Sequence, residues 1–423
     1  MGLKGRLNLM MFLEYAAKGI WIPLAAVFLG DDGLGFTQDQ KGWIIAISSA
    51  IGAMCAPLIC RLCDQKFEAQ KCLAVLLVGV GILKIITAEQ TSYHAWLLLS
   101  IGFSILYLPT ISLTNSIAMT HLEDSKNEFS RVRVWGTIGW IAVAWVFPMI
   151  WLRSNLKFQW LPPFFAGDKV PDEATRTVDS LTAAGLICLG YAIFCWLALP
   201  STPPKGKGKG FNLGEALSMF RHRSFTVLMI TALLISSIHF LYFMQMSSFF
   251  KKAGLETHAI LPAMSLGQMS EILLLAFLGP LLAKLGFRWI MVIGAASFAL
   301  RYYIFSLPLP ISAYVTAQVL HGICFGCFYA SAFIYVDRIA PSGVKHSVQA
   351  LFGFVMYGLG PLIAGQINKS LASAAGQLDM AGYSFYWKWT ALIALAATVI
   401  HALFFRDETK DSEPEATNTT NDE

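Results

Sequence analysis

The sequence predicts an all-α membrane protein in which twelve transmembrane helices form two six-helix bundles with both termini in the cytoplasm. Three observations predict it. Of 423 residues, 56% are hydrophobic and only 13% are charged, roughly half the ~25% charge with which a soluble domain coats itself. The apolar residues gather into twelve stretches, each near the ~20 residues that a helix needs to cross a bilayer. Lysine and arginine fall about two to one into the loops on the side of the termini, the bias that marks a cytoplasmic face.

The expected spans are 8–30, 41–60, 72–89, 94–118, 132–152 and 178–199, then 224–250, 259–283, 289–306, 312–336, 347–368 and 386–405. The first is not expected to be a cleaved signal, because Glu14 and Lys18 interrupt it and no small-residue cleavage pattern follows. The chain therefore divides into an N-terminal bundle (1–199), a cytoplasmic linker (200–223), a C-terminal bundle (224–405) and an acidic tail (406–423) expected to be disordered. The linker opens Ser-Thr-Pro-Pro-Lys-Gly-Lys-Gly-Lys-Gly, in which proline and glycine exclude a helix. The 153–177 loop is polar and expected outside. Pro-Leu-Ile-Cys-Arg-Leu (57–62) and Pro-Leu-Leu-Ala-Lys-Leu (280–285) end the second and eighth spans alike, which suggests two parallel repeats around a central site.

Function classes fall away in turn. The net charge of +5 comes with no basic, aromatic-interleaved patch, so nucleic acid is not an expected partner. The eight cysteines lie within or beside apolar runs, which argues against a disulfide framework. Cys324 and Cys327 form a CxxC inside an apolar helix and read as small packing residues rather than a redox or metal site. The chain carries neither a GxxxxGK[ST] loop nor an HExxH pair, so ATP hydrolysis and intramembrane metal chemistry are not expected. No cofactor is expected, no enzyme either, and an ion gradient is left as the energy source.

The informative residues are polar side chains in an apolar solvent. A charge at mid-bilayer costs about 2.5–3.5 kcal/mol on insertion scales, so a chain retains it where it pairs or meets water. Glu271 follows Gln268 by three residues on one face of the eighth span, offering a polar ligand both donor and acceptor capacity; its structural alternative is pairing with Arg301. Arg133, Thr137 and Trp140, at i, i+4 and i+7, place a fixed cation, a hydroxyl and a flat ring on one helical stripe, suited to a polar ring-bearing solute. Gly136 and Gly139 on the same helix permit close packing. His239 with Tyr242, and His321 with Phe325, lie within the seventh and tenth spans, where either imidazole is a packing residue or a proton relay. Glu14 and Lys18 are expected to neutralise each other as an i, i+4 pair. Asp64 with Lys66 and Lys71 is expected to form a charged cytoplasmic latch that gates rather than binds. Lys84 and Arg301 sit within helices, and the sequence does not say what they face.

Four segments carry a resemblance: Arg-Val-Trp-Gly-Thr-Ile-Gly-Trp (133–140), Gln-Met-Ser-Glu-Ile-Leu (268–273), His-Gly-Ile-Cys-Phe-Gly (321–326) and Leu-Pro-Thr-Ile-Ser-Leu-Thr-Asn-Ser-Ile (108–117). On them the chain resembles the nucleoside:proton symporters of the bacterial major facilitator superfamily. The resemblance implies a nucleoside held between the two halves, lined by Arg133, Thr137 and Trp140, contacted by Gln268 and Glu271, and packed by Phe325. It implies a multi-pass protein of the bacterial inner membrane whose partners are a small solute, protons and lipid, acting as a monomer. His239 and Tyr242 stand where the family can carry amides, His321 where it can carry a tyrosine, and Gly326 where it can carry an acid; such changes alter which base or sugar edges are read. Glu271, His239 and His321 are the expected proton-coupling residues. The competing functions are a symporter of sugars or other polar metabolites on the same frame, and a membrane solute sensor that binds without transport.

Overall fold

The structure is a computed structural model that describes residues 1–30, 33–123, 125–158, 165–204, 213–341 and 344–408. Most of the acidic tail and the Lys205, Lys207 and Lys209 run of the linker lie outside them. Among the described residues, eleven helices are long and apolar enough to cross a membrane. In chain order they are α1 (Leu3–Phe28), α2 (Gln38–Cys63), α3 (Ala69–Ala88), α4 (Tyr93–His121), α5 (Glu128–Trp151) and α6 (Asp179–Ala198). The second half holds α7 (Arg223–Lys252), α8 (Thr257–Ser306), α9 (Ile311–Ile339), α10 (Ser347–Ala375) and α11 (Met380–Phe404).

Helix α8 runs for 50 residues, which at about 1.5 Å per residue is twice the thickness of a bilayer. Gly286 breaks it, with φ 75° and ψ 167°, a conformation open to glycine because it has no Cβ. The break falls between the two spans expected at 259–283 and 289–306, and the limbs fold back on each other. At the turn, the Phe287 amide donates to Asp407 Oδ2 at 2.9 Å, just beyond the end of α11. At the far end of the second limb, Ser384 near the start of α11 donates to the Ser306 carbonyl at 2.5 Å. Gly286 thus does with one residue what a loop does elsewhere.

The surface is inverted relative to a soluble protein. Leu98, Leu197 and Leu273 are 68%, 77% and 67% exposed, while polar groups such as Glu14, Arg301 and Asn368 are buried. One apolar core lies within the first six helices, a second joins them to Leu261 of α8, and a third unites most of the last five and takes in Val27 of α1. The bundles meet where α2 packs on α10, α5 on α8 and the end of α1 on α7.

One segment departs from the all-helical expectation. Residues Arg153–Phe158 (β1) and Phe165–Lys169 (β2) pair antiparallel after α5, followed by a single helical turn, Glu173–Arg176. The polar loop expected there is a small ribbon: its polar residues bond to one another across strands, as in the Asn155 amide donating to Asp168 at 2.7 Å.

Candidate functional site

Glycines set the distances at which the site helices stand. A Cβ on Gly139 of α5 would lie 2.2 Å from the Phe12 carbonyl of α1, and one on Gly136 would lie 2.5 Å from the Tyr15 ring. In the other bundle a Cβ on Gly322 of α9 would lie 2.3 Å from the Glu271 amide of α8, and one on Gly267 would lie 2.8 Å from His321 Cβ. The spacing expected of Gly136 and Gly139 is therefore present, and Gly267 and Gly322 do the same work for Glu271. Two stretches of π-helix, 324–330 in α9 and 355–359 in α10, turn Phe325, Tyr329 and Tyr357 away from the register an α-helix would give; such turns recur at functional sites.

From the N-terminal bundle, Arg133 is half-buried with its guanidinium 4.0 Å from the Tyr15 ring centroid. Thr137 is buried one turn along, and Trp140 packs against Gly19 of α1. From the C-terminal bundle, Glu271 is 7% exposed and forms no ion pair with a described residue. The opposite charge whose field reaches it is Arg133, across the join. Tyr15 and Tyr357 lie within the same electrostatic neighbourhood. Tyr357 is 37% exposed although its ring stacks on Phe333 in mid-span; given those neighbours, the space it meets lies between the bundles rather than in lipid.

Behind Glu271 stands a stack of rings. The His239 and His321 rings are 5.6 Å apart and 17° from parallel, and Tyr242 also stacks on His321, at 5.7 Å. Phe325 lies 6.4 Å from His321 and 5.3 Å from Tyr329. Arg301, fully buried, donates from Nη1 to His321 Nδ1 at 2.7 Å and from Nη2 to the Tyr302 hydroxyl at 3.1 Å. A guanidinium only donates, so Nδ1 accepts, and the hydrogen of the neutral imidazole sits on Nε2. Tyr242 donates its hydroxyl to Gln318 at 2.8 Å. Four buried polar atoms of the group, Gln268 Oε1, His239 Nδ1, Arg301 Nε and the Tyr329 hydroxyl, have no hydrogen-bond partner among the described residues. Such orphans cost about 1–3 kcal/mol each unless something fills them.

The structure bears on four further sequence-based expectations. The structural alternative for Glu271 does not hold, since Arg301 engages His321 and Tyr302. Glu14 and Lys18 feel each other's charge but form no close ion pair; the Glu14 oxygens lie 2.7 Å from the Thr110 hydroxyl and 3.2 Å from that of Thr114, because α4 offers hydroxyls closer than the lysine one turn away. Of the expected Asp64–Lys66–Lys71 latch, Lys71 pairs with Glu68 at 3.0 Å. Lys66 is exposed, and the Asp64 side chain lies outside the described residues. Lys84 turns out to sit against the rings of Trp21 and Phe103, its Nζ 3.2 and 3.7 Å from their centroids, so the buried amine meets two electron-rich faces.

Polar bonds between the bundles cluster at the end that carries β1 and β2. There the Gln245 amide donates to Gln38 Oε1 at 2.6 Å and Asn368 Oδ1 at 2.7 Å, while Asn368 donates to the Gln38 carbonyl at 3.1 Å. Lys369 pairs with Asp39 at 3.1 Å, and Trp145 donates to Ser265 at 2.9 Å. Arg153 bonds to Glu256 and His258, and the His258 amide donates to Glu173 at 2.9 Å. Burial pushes the Glu173 carboxyl up, but the His258 side chain and amide, with Arg153, outweigh it and hold Glu173 below the ordinary carboxylate range. The sequence did not single out these residues: each sits at a helix end, where amides and charges are commonplace.

Two bundles joined tightly at one end, with charged and unpartnered groups from both facing each other at mid-depth, define a membrane transporter. The chain matches the family described as Nucleoside H+ symporter over residues 1–410, and it belongs to that family. It is 30% identical over 419 residues to the putative nucleoside transporter YegT of Escherichia coli, covering 95% of this chain and 93% of that protein. It is 22% identical over 428 residues to the nucleoside permease NupG of the same organism, covering 96% and 95%. The fold matches the crystal structure of NupG with a TM-score of 0.80 at 20% identity, covering 96% of this chain and 100% of that one.

Proposed function

We propose that the chain binds one nucleoside at the join of its bundles, between Arg133 and Glu271, and imports it with a proton by alternating access. In this reading twelve spans cross the bacterial inner membrane, with both termini cytoplasmic and α8 counted as two. The protein works as a monomer, uses no cofactor and draws on the proton gradient. Proton-coupled nucleoside import is the activity of the family to which the chain belongs; the site is the part argued from its own residues.

The support for the site is a pair of opposite charges presented by the two bundles: Glu271, buried and in no ion pair with a described residue, and Arg133, half-buried against Tyr15. A polar solute is what would bridge them. A nucleoside combines a flat ring edged with donors and acceptors and a sugar bearing hydroxyls. Phe325 and Tyr329 offer ring faces, Arg133 donors, Gln268 Oε1 and Glu271 acceptors, and Thr137 either. His239 Nδ1 is a further unfilled position, and Tyr242 braces His321 from behind. Arg301 fixes His321 as a hydrogen-bonding ring, which leaves Glu271 as the proton carrier at the join.

Coupling follows from linkage. A proton on Glu271 converts an acceptor into a donor; if that form holds the nucleoside more tightly, the nucleoside holds the proton more tightly by the same factor. With the bundles joined at the end distant from the termini, a solute in this conformation would exchange with the side on which the termini lie, in this reading the cytoplasm. In proteoliposomes, Glu271→Gln should lower pH-gradient-driven uridine accumulation by at least about tenfold, the effect of ~1.4 kcal/mol of lost coupling. Wild-type accumulation at every pH in that variant would remove Glu271 from the mechanism.

A further inference from the structure

Glu14 is a second carboxyl placed deep in the protein, away from the join. It lies in α1 with 1% exposure, enclosed by α4 and α6. Its Oε1 is 2.7 Å from the Thr110 hydroxyl, and that same hydroxyl is 2.6 Å from the Tyr107 carbonyl. Its Oε2 is 3.2 Å from the Thr114 hydroxyl, which is 3.2 Å from the Tyr191 hydroxyl. The Tyr107 hydroxyl donates to the Glu14 backbone carbonyl at 3.1 Å.

Counting hydrogens shows what this arrangement accepts. A threonine hydroxyl has one hydrogen to give. If Glu14 is ionised, Thr110 lies between two groups that only accept, so one of its two short contacts has no hydrogen in it. If Glu14 carries a proton on Oε1, that proton goes to Thr110 Oγ1, and the Thr110 hydrogen goes to the Tyr107 carbonyl. On the other oxygen, Tyr191 donates to Thr114 and Thr114 to Oε2, whichever state Glu14 is in. The protonated acid completes every contact, and the carboxylate keeps all but one. Turning one hydroxyl hydrogen is the only rearrangement between them.

The charged and titratable groups facing Glu14 are few. They are Tyr15 and Lys18 on α1, Tyr107 on α4, and Cys188, Tyr191 and Cys195 on α6. Lys84 of α3 reaches Cys188. Lys18 feels both Glu14 and Arg133, and its field extends to His239 in the other bundle. The charge on Glu14 therefore offsets that of Lys18 at the edge of the nucleoside site.

We propose that Glu14 is a second proton-binding carboxyl, inside the N-terminal bundle, whose protonation sets through Lys18 how much positive charge the join presents to the nucleoside. The inference rests on the proton-coupled reading and adds to it a carrier distinct from Glu271.

The test uses the full chain in proteoliposomes with uridine as the probe, reading binding, gradient-free counterflow, pH-gradient-driven accumulation and the alkalinisation that accompanies uridine entry. Glu14→Gln, which imitates the protonated acid, should bind and exchange uridine within about twofold of wild type measured at acid pH, while pH-gradient-driven accumulation falls at least about tenfold and proton entry per uridine declines. Glu14→Asp, which keeps the acid, should restore coupled accumulation with a displaced pH profile. Unchanged accumulation and alkalinisation in Glu14→Gln would overturn the proposal, as would loss of counterflow alongside accumulation, which marks a structural role. Should Glu14→Gln fail to fold, an unaltered pH profile in Glu14→Asp overturns it equally. A wild-type protein that moves no proton with uridine would instead sink the coupled reading itself.

Discussion

Arg133 offers the sharpest separation between binding and stability. Its guanidinium lies over Tyr15 at 4.0 Å and forms no ion pair with a described residue, so Arg133→Ala removes from the fold a partly exposed cation–ring contact of about 0.5–1 kcal/mol. If the same guanidinium donates to a nucleoside, the loss is larger: a hydrogen bond to a charged group contributes about 1.5–3 kcal/mol. At ~1.4 kcal/mol per tenfold, uridine affinity should weaken roughly 10- to 100-fold. Arg133→Lys keeps the charge but not the planar fork, and should fall between. Isothermal titration of purified protein with uridine, beside a thermal unfolding curve, reads both quantities. A dissociation constant within about twofold of wild type, with the fold intact, would refute the placement of the nucleoside against Arg133.

Three other outcomes follow from the geometry. Gly322→Ala places a methyl 2.3 Å from the Glu271 amide; the forced separation of α9 from α8 should cost about 1–3 kcal/mol, visible as a lower unfolding temperature together with weaker uridine binding. Arg301→Lys cannot hold His321 Nδ1 and the Tyr302 hydroxyl with one fork, and should destabilise by about 1–3 kcal/mol in the same assay; an unchanged unfolding temperature contradicts the clamp. At the sealed end, Glu173 is held below its ordinary value of 4.5, so its stabilisation of the closed state is complete above that value and is lost as pH falls through the depressed one. Spin-label distances across Arg153 and Glu256 should lengthen on acidification below that ordinary value, and less so in Glu173→Gln. Identical pH responses in the two proteins would remove Glu173 from the seal.

The spans were legible because bilayer thickness demands about 20 apolar residues wherever a helix crosses, and polar residues that interrupt such runs are few enough to inspect singly. That is how Arg133, Thr137, Gln268, Glu271 and the two histidines emerge from sequence, and how Gly136 and Gly139 announce a close helix contact. Partner choice was not legible. An i, i+4 spacing gives Glu14 a lysine one turn away, yet the hydroxyls that meet it are 96 and 100 residues distant in the chain. Tyr15 and Tyr357 carry no signal either, since an aromatic residue in an apolar helix looks the same whether it faces lipid, core or solute. The π-helical turns that aim Phe325 and Tyr357 leave no periodicity to detect within spans that are apolar on every side. The ribbon after α5 escaped because a short polar segment reads as a loop whether or not its strands pair.

The claim that a nucleoside bridges the two bundles is tested most directly by a structure determined with uridine bound. The account predicts uridine in contact with Arg133 of α5 and with Glu271 or Gln268 of α8 at once. Uridine lodged within one bundle, leaving Arg133 and Glu271 facing each other unbridged, would contradict it.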